Sequence, residues 1–214
     1  MKLSYMAKEI IKQCSDYIRK KDWQNFYGAI YQNDEWKTFC GDVTDALLAA
    51  GINPLEGLDY IPDYFLYDSK NITKFDIPDG IDEIASAAFA YCSNLTDISM
   101  PNTVTQIRDH AFESTGLTSI KLSDELVTIG DYAFSRSKLD TIEFPATLRS
   151  FGTAILLNCE NLRKVRFNGD VDDIGGFTFP IHKPVIVEVP KTATNLLETF
   201  SKRSTCRDIQ IVPY

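Results

Sequence analysis

Hydrophobic residues recur at fixed intervals along most of the chain, from about residue 60 to the end. The recurring pattern is L-x-x-I-x-I-P-x-x-I-x-x-I-x-x-x-A-F, with similar apolar residues replacing one another. Five full copies begin 23, 22, 22 and 23 residues apart, at Ile72, Leu95, Leu117, Leu139 and Leu162. Such a period is typical of repeat proteins, in which each unit covers the apolar face of its neighbour. The pattern therefore predicts a solenoid of short coils.

Each copy is predicted to contain a short strand followed by a second short segment. In the second copy, Ile98 and Met100 alternate with polar residues, which is the period of a strand with one face inward. Pro101 ends this strand because proline offers no N–H group to the ladder. Ile107 then belongs to a second extended or turn segment, and a tight helical turn carries Phe112 inward.

Partial copies flank the five full ones. Upstream, Ile61 and Pro62 form the tail of an additional repeat. Downstream, Val187 and Val189 add one more strand in register, and Ile209 begins a terminal strand. Between these two strands, apolar residues at helical spacing predict a closing helix over residues 193–202. We therefore expect the repeat unit to span residues 58–214.

The first 57 residues show helical periodicity instead. One amphipathic helix is predicted from Leu3 to Ile18, and Asp22 caps a second helix. A third helix begins at residue 33 or 34 and stops at Gly51. Because a solenoid needs a cover over its terminal apolar layer, this all-α unit is interpreted as an N-terminal cap. The alternative is a separate docking unit with its own partner.

The repeat motif resembles a known family. From Ile77 to Leu95 the chain reads I-P-x-x-I-x-x-I-x-x-x-A-F-x-x-C-x-x-L, and Val189-Pro190-Lys191 precedes the predicted closing helix and strand. Over residues 60–214 these motifs resemble the BspA-like (Treponema-type) leucine-rich repeat family. The resemblance implies a right-handed leucine-rich-repeat solenoid, and with the helical N-terminus this gives an α+β repeat protein with an all-α N-terminal cap. It also implies a module that binds other macromolecules, often as a surface adhesin.

The net charge of −8 is unevenly distributed. Residues 34–109 hold 4 Lys and Arg against 14 Asp and Glu, a local balance of −10. This sign argues against nucleic acid as a partner, since phosphate recognition needs Lys and Arg. One hypothesis is a patch for a basic protein, such as the nucleic-acid groove of an enzyme. The other is a solvated acidic face that keeps the protein soluble.

Two groups of residues are candidates for contacting a protein partner. The first is the acidic and aromatic segment between the helices and the second coil. The second is the set of outward strand positions, which stacked coils place in columns that run from acidic to basic along the solenoid. The candidates of the first group are Asp59, Tyr60, Asp63, Tyr64, Tyr67, Asp68 and Asp79, and those of the second are Lys74, Asp76, Asp97, Ser99, Lys121, Glu143, Lys164 and Arg166.

The sequence offers no motif for catalysis, cofactor or metal binding. Neither histidine, His110 or His182, has a cysteine or carboxylate at ligand spacing, and each is interpreted as a surface or turn residue. The five cysteines form no C-x-x-C pair, so buried free thiols are expected. Cys92 and Cys159 occupy matching repeat positions, which predicts a packing role.

No apolar stretch approaches a membrane span, and the N-terminus lacks the apolar core of a secretory signal. The leading hypothesis is therefore a non-enzymatic cytoplasmic protein that binds a protein partner as an adaptor or inhibitor. Its small size would also suit a phage or mobile-element protein. The alternatives are an adhesin-type surface protein lacking its signal, and an effector whose activity resides in the helical unit.

Overall fold

The computed structural model describes residues 5–34, 39–176, 184–202 and 209–214. Within these residues, four short helices come first, a solenoid of parallel strands follows, and a fifth helix lies between the last two strands. The helices are α1 (Tyr5–Gln13), α2 (Ser15–Lys20), α3 (Trp23–Tyr31), α4 (Cys40–Ala49) and α5 (Thr194–Lys202).

The N-terminal helices differ from the prediction at one point. The single helix expected up to Ile18 is wrong, because it divides into α1 and α2 at Cys14, whose ψ of 11° leaves the helical range. After the division, α1 contacts α4 while α2 contacts α3. The predicted cap of α3 is confirmed, since the Asp22 carboxylate accepts the Asn25 N–H at 3.4 Å.

The end of α4 was also predicted correctly. Gly51 has a φ of 74°, and the N–H of Ile52 donates to the carbonyl of Leu47 at 2.9 Å. The N–H of Gly51 donates to the carbonyl of Leu48 at 3.0 Å, which completes a Schellman cap. The start that the sequence predicted for this helix extends into residues 35–38, outside the described part of the chain.

The solenoid contains two series of strands that alternate along the chain. A parallel six-stranded sheet holds one short strand from each of six coils. A second face holds longer strands. This arrangement of parallel strands confirms the solenoid that the sequence predicted. The short strands are β1 (Tyr60–Ile61), β3 (Glu83–Ile84), β5 (Gln106–Ile107), β6 (Thr128–Ile129), β8 (Ser150–Phe151) and β10 (Asp173–Ile174). The longer strands are β2 (Lys74–Asp76), β4 (Asp97–Ser99), β7 (Thr141–Phe144), β9 (Lys164–Phe167), β11 (Val185–Val189) and β12 (Ile209–Pro213).

The register of the longer strands matches the repeat. Phe75 pairs with Ile98, and Ile142, Val165 and Val187 stand side by side in the later coils. The additional downstream strand, the closing helix and the terminal strand are confirmed as β11, α5 and β12. Upstream, the partial copy forms a coil of its own, because β1 pairs with β3 through Ile61 and Ile84. The solenoid therefore has six coils, one more than the full copies counted in the sequence.

The third coil departs from the prediction. Residues 117–122 form no strand, although Leu117, Ile120 and Leu122 occupy the apolar positions of the repeat. The longer strands therefore divide into a two-stranded sheet, β2 and β4, and a four-stranded sheet, β7, β9, β11 and β12. The alternation of apolar residues sets the inward direction of side chains, but strand pairing also needs backbone groups that reach a neighbour.

The predicted turn carries its phenylalanine inward, since Phe112 is fully buried, but its helical conformation is wrong. In the second coil, Ala87 and Tyr91 have φ values of 55° and 63°, and the same two positions are left-handed in the neighbouring coils. The N–H groups of Ala87, Phe89 and Tyr91 donate to carbonyls of the next coil at 2.7–2.9 Å. Left-handed backbone costs roughly 1–2 kcal/mol for a residue other than glycine. A ladder of hydrogen bonds between coils offsets that cost. A helical turn could not provide such a ladder.

Stacked aromatic rings form the centre of the core. The rings of Phe89, Phe112 and Phe134 are parallel, with successive centroids 5.3 Å apart. The core continues into the helical unit, where the rings of Phe65 and Tyr27 lie 6.2 Å apart. The helices also contact the backbone of the first coil, because the Tyr31 hydroxyl donates to the carbonyl of Asp63 at 2.8 Å. Helices and coils therefore share one hydrophobic core.

Candidate protein-binding surfaces

The outward residues of the first two long strands form a small ion-pair cluster. The Lys74 ammonium lies 3.3 Å from Asp76 and 3.6 Å from Asp97, and all three side chains are more than half exposed. Ser99 is exposed beside them. These four candidates are therefore close together, as the sequence predicted, and separated from the later strands by the third coil.

The later strands carry a second and denser network. The Lys164 ammonium lies 2.8 Å from Glu188, and the Arg166 guanidinium lies 3.1 Å from Glu188 and 3.7 Å from Glu143. Lys164 first and Arg166 second lower the pKa of the Glu188 carboxyl. Arg166 also lies over the ring of Tyr214, 4.3 Å from its centroid. The expected basic end of the columns is thus neutralised by two glutamates.

A cleft of about 650 Å³ opens on this face where the third coil lacks its strand. Lys121, Glu143, Lys164 and Arg166 all line it, so the structure brings four of the candidates to one place. Its remaining lining consists of residues 119, 120, 122 and 124 of the third coil, residues 141, 142 and 145 of the fourth, and Asn168.

Tyr60 occupies an acidic environment at the start of the solenoid. Burial raises the pKa of its hydroxyl, and the carboxylates of Asp63, Asp59 and Glu83 raise it further. Asp59 and Asp82 are adjacent, because the Asp82 N–H donates to the Asp59 carbonyl at 2.7 Å. We call the residues Asp59, Tyr60, Asp79, Asp82 and Glu83 the acidic surface.

Asp63 has a structural role in the coil stack. Its carboxylate accepts the N–H of Ser86 in the next coil at 2.7 Å. At the same repeat position, Asp109 accepts the N–H of Asp131 at 2.8 Å, and Asp131 accepts that of Thr153 at 2.6 Å. Asp63, Asp109 and Asp131 lie 46 and 22 residues apart, which is two repeats and one repeat, and this spacing was the signal that could have revealed the role.

The other aromatic candidates lie on the turn side of the coils. The rings of Tyr64 and Tyr67 are 5.3 Å apart, and Tyr91 extends the cluster at 5.4 Å from Tyr67. These three tyrosines are half-buried, and the neighbouring Asp68 is paired with Lys70 at 2.6 Å. Tyr60 lies on the short strand β1, so the segment Tyr60–Tyr67 contributes to two surfaces.

His110 is a turn residue, as predicted, but the expectation that it has no carboxylate partner is wrong. Its φ is 59°, its Nδ1 lies 2.7 Å from the Glu113 carboxylate, and its ring stacks on Tyr132 with centroids 5.0 Å apart. His182 lies outside the described residues. Sequence reasoning missed this pair of stacked rings, although the two residues occupy one repeat position 22 residues apart.

The described cysteines are packing residues. Cys14, Cys40, Cys92 and Cys159 are free and buried, which confirms the prediction for these four, while Cys206 lies outside the described part. Burial raises the pKa of the Cys40 and Cys92 thiols to about 12. Among the residues that the structure describes, no three histidine, cysteine or acidic side chains could hold a metal ion together. None of the described helices is long and apolar enough to cross a membrane.

Comparison with solved structures finds bacterial leucine-rich repeat proteins. The pneumococcal vaccine antigen PcpA is 20% identical with a TM-score of 0.58, covering 71% of this chain and 38% of its own. The T. pallidum leucine-rich repeat protein TpLRR is 21% identical with a TM-score of 0.48, covering 64% of this chain and 74% of its own. A leucine-rich repeat protein from Eubacterium ventriosum is 24% identical with a TM-score of 0.47, covering 49% of this chain and 28% of its own. This chain thus spans well under half the length of the Eubacterium and pneumococcal structures.

Among curated proteins, none matches this chain in sequence. The family described as the BspA type leucine rich repeat region matches residues 56–210 with six copies, in agreement with the six coils. Family and fold are typical of protein-interaction or adhesin-type modules, and no catalytic family is indicated. This chain belongs to the BspA-type leucine-rich repeat family.

Proposed function

We propose that this protein is a non-enzymatic cytoplasmic module that binds a basic protein partner through the acidic surface, as an adaptor or inhibitor. The observation that carries the proposal is a group of exposed carboxylates, the first of which, Asp59, lies beside the half-buried Tyr60. Asp59, Asp79 and Asp82 make no ion pair with any described residue, and Tyr60 lies next to Asp59.

The balance of charge favours this surface over the strand face. Residues 34–109 carry 4 basic and 14 acidic side chains, whereas Glu143 and Glu188 already neutralise Lys164 and Arg166 on the later strands. Unpaired carboxylates attract a basic partner over distances near the Debye length, about 8 Å at physiological ionic strength. Such a surface increases the association rate and selects against acidic partners.

Tyr60 supplies the binding energy that the carboxylates alone lack. Charged groups at a rim contribute little affinity, whereas tyrosines are prominent among the residues that dominate interface energy. A half-buried ring bordered by Asp59 and Glu83 fits the aliphatic stem and cationic head of a lysine or arginine. A partner that uses a basic groove for nucleic acid would then be blocked by this protein, which is the basis of the inhibitor proposal.

The test is affinity capture from source-cell lysate at low and moderate salt, with mass spectrometry of what is retained. A triple variant, Asp59→Asn with Asp79→Asn and Asp82→Asn, removes the unpaired carboxylates. The matched control removes three exposed carboxylates of other coils, Glu125→Gln, Glu160→Gln and Asp173→Asn.

A basic partner that is retained by the wild type and the control, but lost from the triple variant, supports the proposal. Equal loss from both variants would show a general charge effect and contradict a defined surface. Location is tested by fractionating the source cells. Recovery of the protein at the cell surface would favour the adhesin-type alternative over the adaptor.

A further inference from the structure

The strand β12 forms one edge of the four-stranded sheet. It pairs with β11 on one side, and no described strand pairs with it on the other. The N–H of Tyr214 donates to the carbonyl of Val189, the last residue of β11, at 3.1 Å. Backbone groups of successive residues in a strand point to opposite sides. Those of Ile209, Ile211 and Pro213 therefore point away from β11, to the outer edge.

The polar groups of this outer edge match those of a second copy. Ile209 and Ile211 each offer an N–H and a carbonyl, whereas Pro213 offers a carbonyl alone. In an antiparallel pair with a twofold axis at Ile211, the two copies of that residue exchange both of their hydrogen bonds. The N–H of each Ile209 then meets the Pro213 carbonyl of the other copy. The edge is therefore self-complementary, and the donor that proline lacks falls at the end of the paired strands.

Side chains at this end of the solenoid are less covered than those of the inner coils. Val165 and Val187 are fully buried, whereas Ile211, which continues their column, is only partly buried. On the opposite face of the sheet, Ile186 and Tyr214 are 40% and 43% exposed. Charged residues on an edge strand normally prevent pairing between copies, and β12 contains none. An apolar, uncharged edge of this kind favours association.

The distribution of charge permits a second copy at this end of the molecule. Residues 34–109 have a balance of −10, whereas residues 110–214 hold 12 Lys and Arg against 13 Asp and Glu. Repulsion between two copies therefore arises mainly from their N-terminal halves. A contact through β12, in the last coil, places those halves at the far ends of the dimer, where salt screens them from each other.

We infer that β12 pairs antiparallel with β12 of a second copy of this chain, so that two four-stranded sheets join into one of eight strands. This interface does not use the acidic surface, so the inference goes beyond the proposed function and is independent of it. One pair of five-residue strands buries less than about 1,200 Å², the class of weak and transient interfaces. We therefore expect a dimer with a dissociation constant in the micromolar range.

Sedimentation equilibrium of the full chain at increasing concentration measures this association. In the paired strands, Gln210 of each copy stands directly opposite Val212 of the other, and both side chains are on the solvent face. Gln210→Lys with Val212→Lys therefore brings like charges together and should weaken the dimer about tenfold or more. The matched control, Ser119→Lys with Thr141→Lys, makes the same charge change at exposed positions of inner coils and should dimerise as the wild type does.

A second variant separates loss of pairing from loss of folding. Gln210→Glu with Val212→Glu should also dimerise weakly alone, whereas an equimolar mixture of the lysine and glutamate variants should associate at least as strongly as the wild type. A wild type that stays monomeric overturns the inference, as does a lysine variant that dimerises normally. A mixture that associates no better than its components overturns it too. Capture of a basic partner by the acidic surface does not depend on any of these results, so the two proposals are tested separately.

Discussion

Gly41 offers the sharpest test of how the helical unit joins the solenoid. It lies in α4, and a methyl group built on it would be 2.0 Å from the Tyr67 carbonyl oxygen. The same methyl group would be 2.9 Å from the carbonyl carbons of Leu66 and Tyr67. All three atoms belong to the backbone of the first coil, so no side-chain rotation relieves the overlap. Gly41→Ala must therefore separate α4 from the coil or distort both.

Two opposing terms set the magnitude. Alanine is favoured over glycine within a helix by about 1 kcal/mol. Overpacking of a close contact costs about 1–3 kcal/mol, and a clash with rigid backbone belongs at the upper end of that range. We therefore expect Gly41→Ala to lower the free energy of unfolding by about 2 kcal/mol. For a chain of this size, such a loss lowers Tm by roughly 4–8 °C.

Gly28 in α3 provides the matched control. A methyl group there would have no atom within 4 Å, so Gly28→Ala should stabilise the protein by about 0.5–1 kcal/mol. Urea denaturation followed by circular dichroism measures both variants. Two helical glycines should thus respond with opposite signs to one substitution. If Gly41→Ala is as stable as the wild type, α4 does not pack on the first coil as described.

Four further outcomes follow from the core and the coil stack. Phe112→Ala removes the middle ring of the stack and should cost about 3–5 kcal/mol in thermal unfolding, and a loss below about 1 kcal/mol would contradict the stacking. Asp131→Ala should cost about 1 kcal/mol in urea because it leaves the Thr153 N–H without its acceptor, whereas Asp131→Asn should retain most of that stability. Cys40 and Cys92 should resist iodoacetamide at pH 8 until denaturant is added, as judged by peptide mapping, and early alkylation would argue against their burial. Because folding raises the pKa of both thiols from 9.0 to about 12, their contribution to stability is complete below pH 9 and should fall as the pH rises towards 12.

The parts of the fold that depend on side-chain burial could be predicted from the sequence. Ile98, Ile142 and Val165 are buried at the positions that the repeat assigns to them, because period-two alternation determines which side chains point inward. The interrupted third coil could not be predicted. Leu117 and Leu122 are buried there too, and what is missing is the pairing of backbone groups that carry no sequence signature.

The left-handed turns escaped prediction for a related reason. Glycine and asparagine are the usual signals for a positive φ, but Ala87, His110 and Tyr132 adopt it here. Their conformation is stabilised by the hydrogen bonds to the next coil, which no single repeat contains. The cleft follows from the same kind of interaction between neighbours, so the sequence placed Lys121, Glu143, Lys164 and Arg166 on one face without indicating the cleft that they line.

On the turn side, the hydrogen bonds between coils give the stack a chemical polarity, whereas beside the short strands the donors point the other way, as from Arg108 to Ile84. On the turn side, Ala87, Phe89 and Tyr91 donate in one direction only, towards the next coil along the chain. On this side, the first coil therefore offers acceptors to the helical unit, and the Tyr31 hydroxyl supplies a donor to one of them at Asp63. A cover for the opposite end must instead present carbonyl groups. A cover that fits one end of such a solenoid therefore does not fit the other. Coils grafted from another protein will join only in the orientation that matches donors to acceptors.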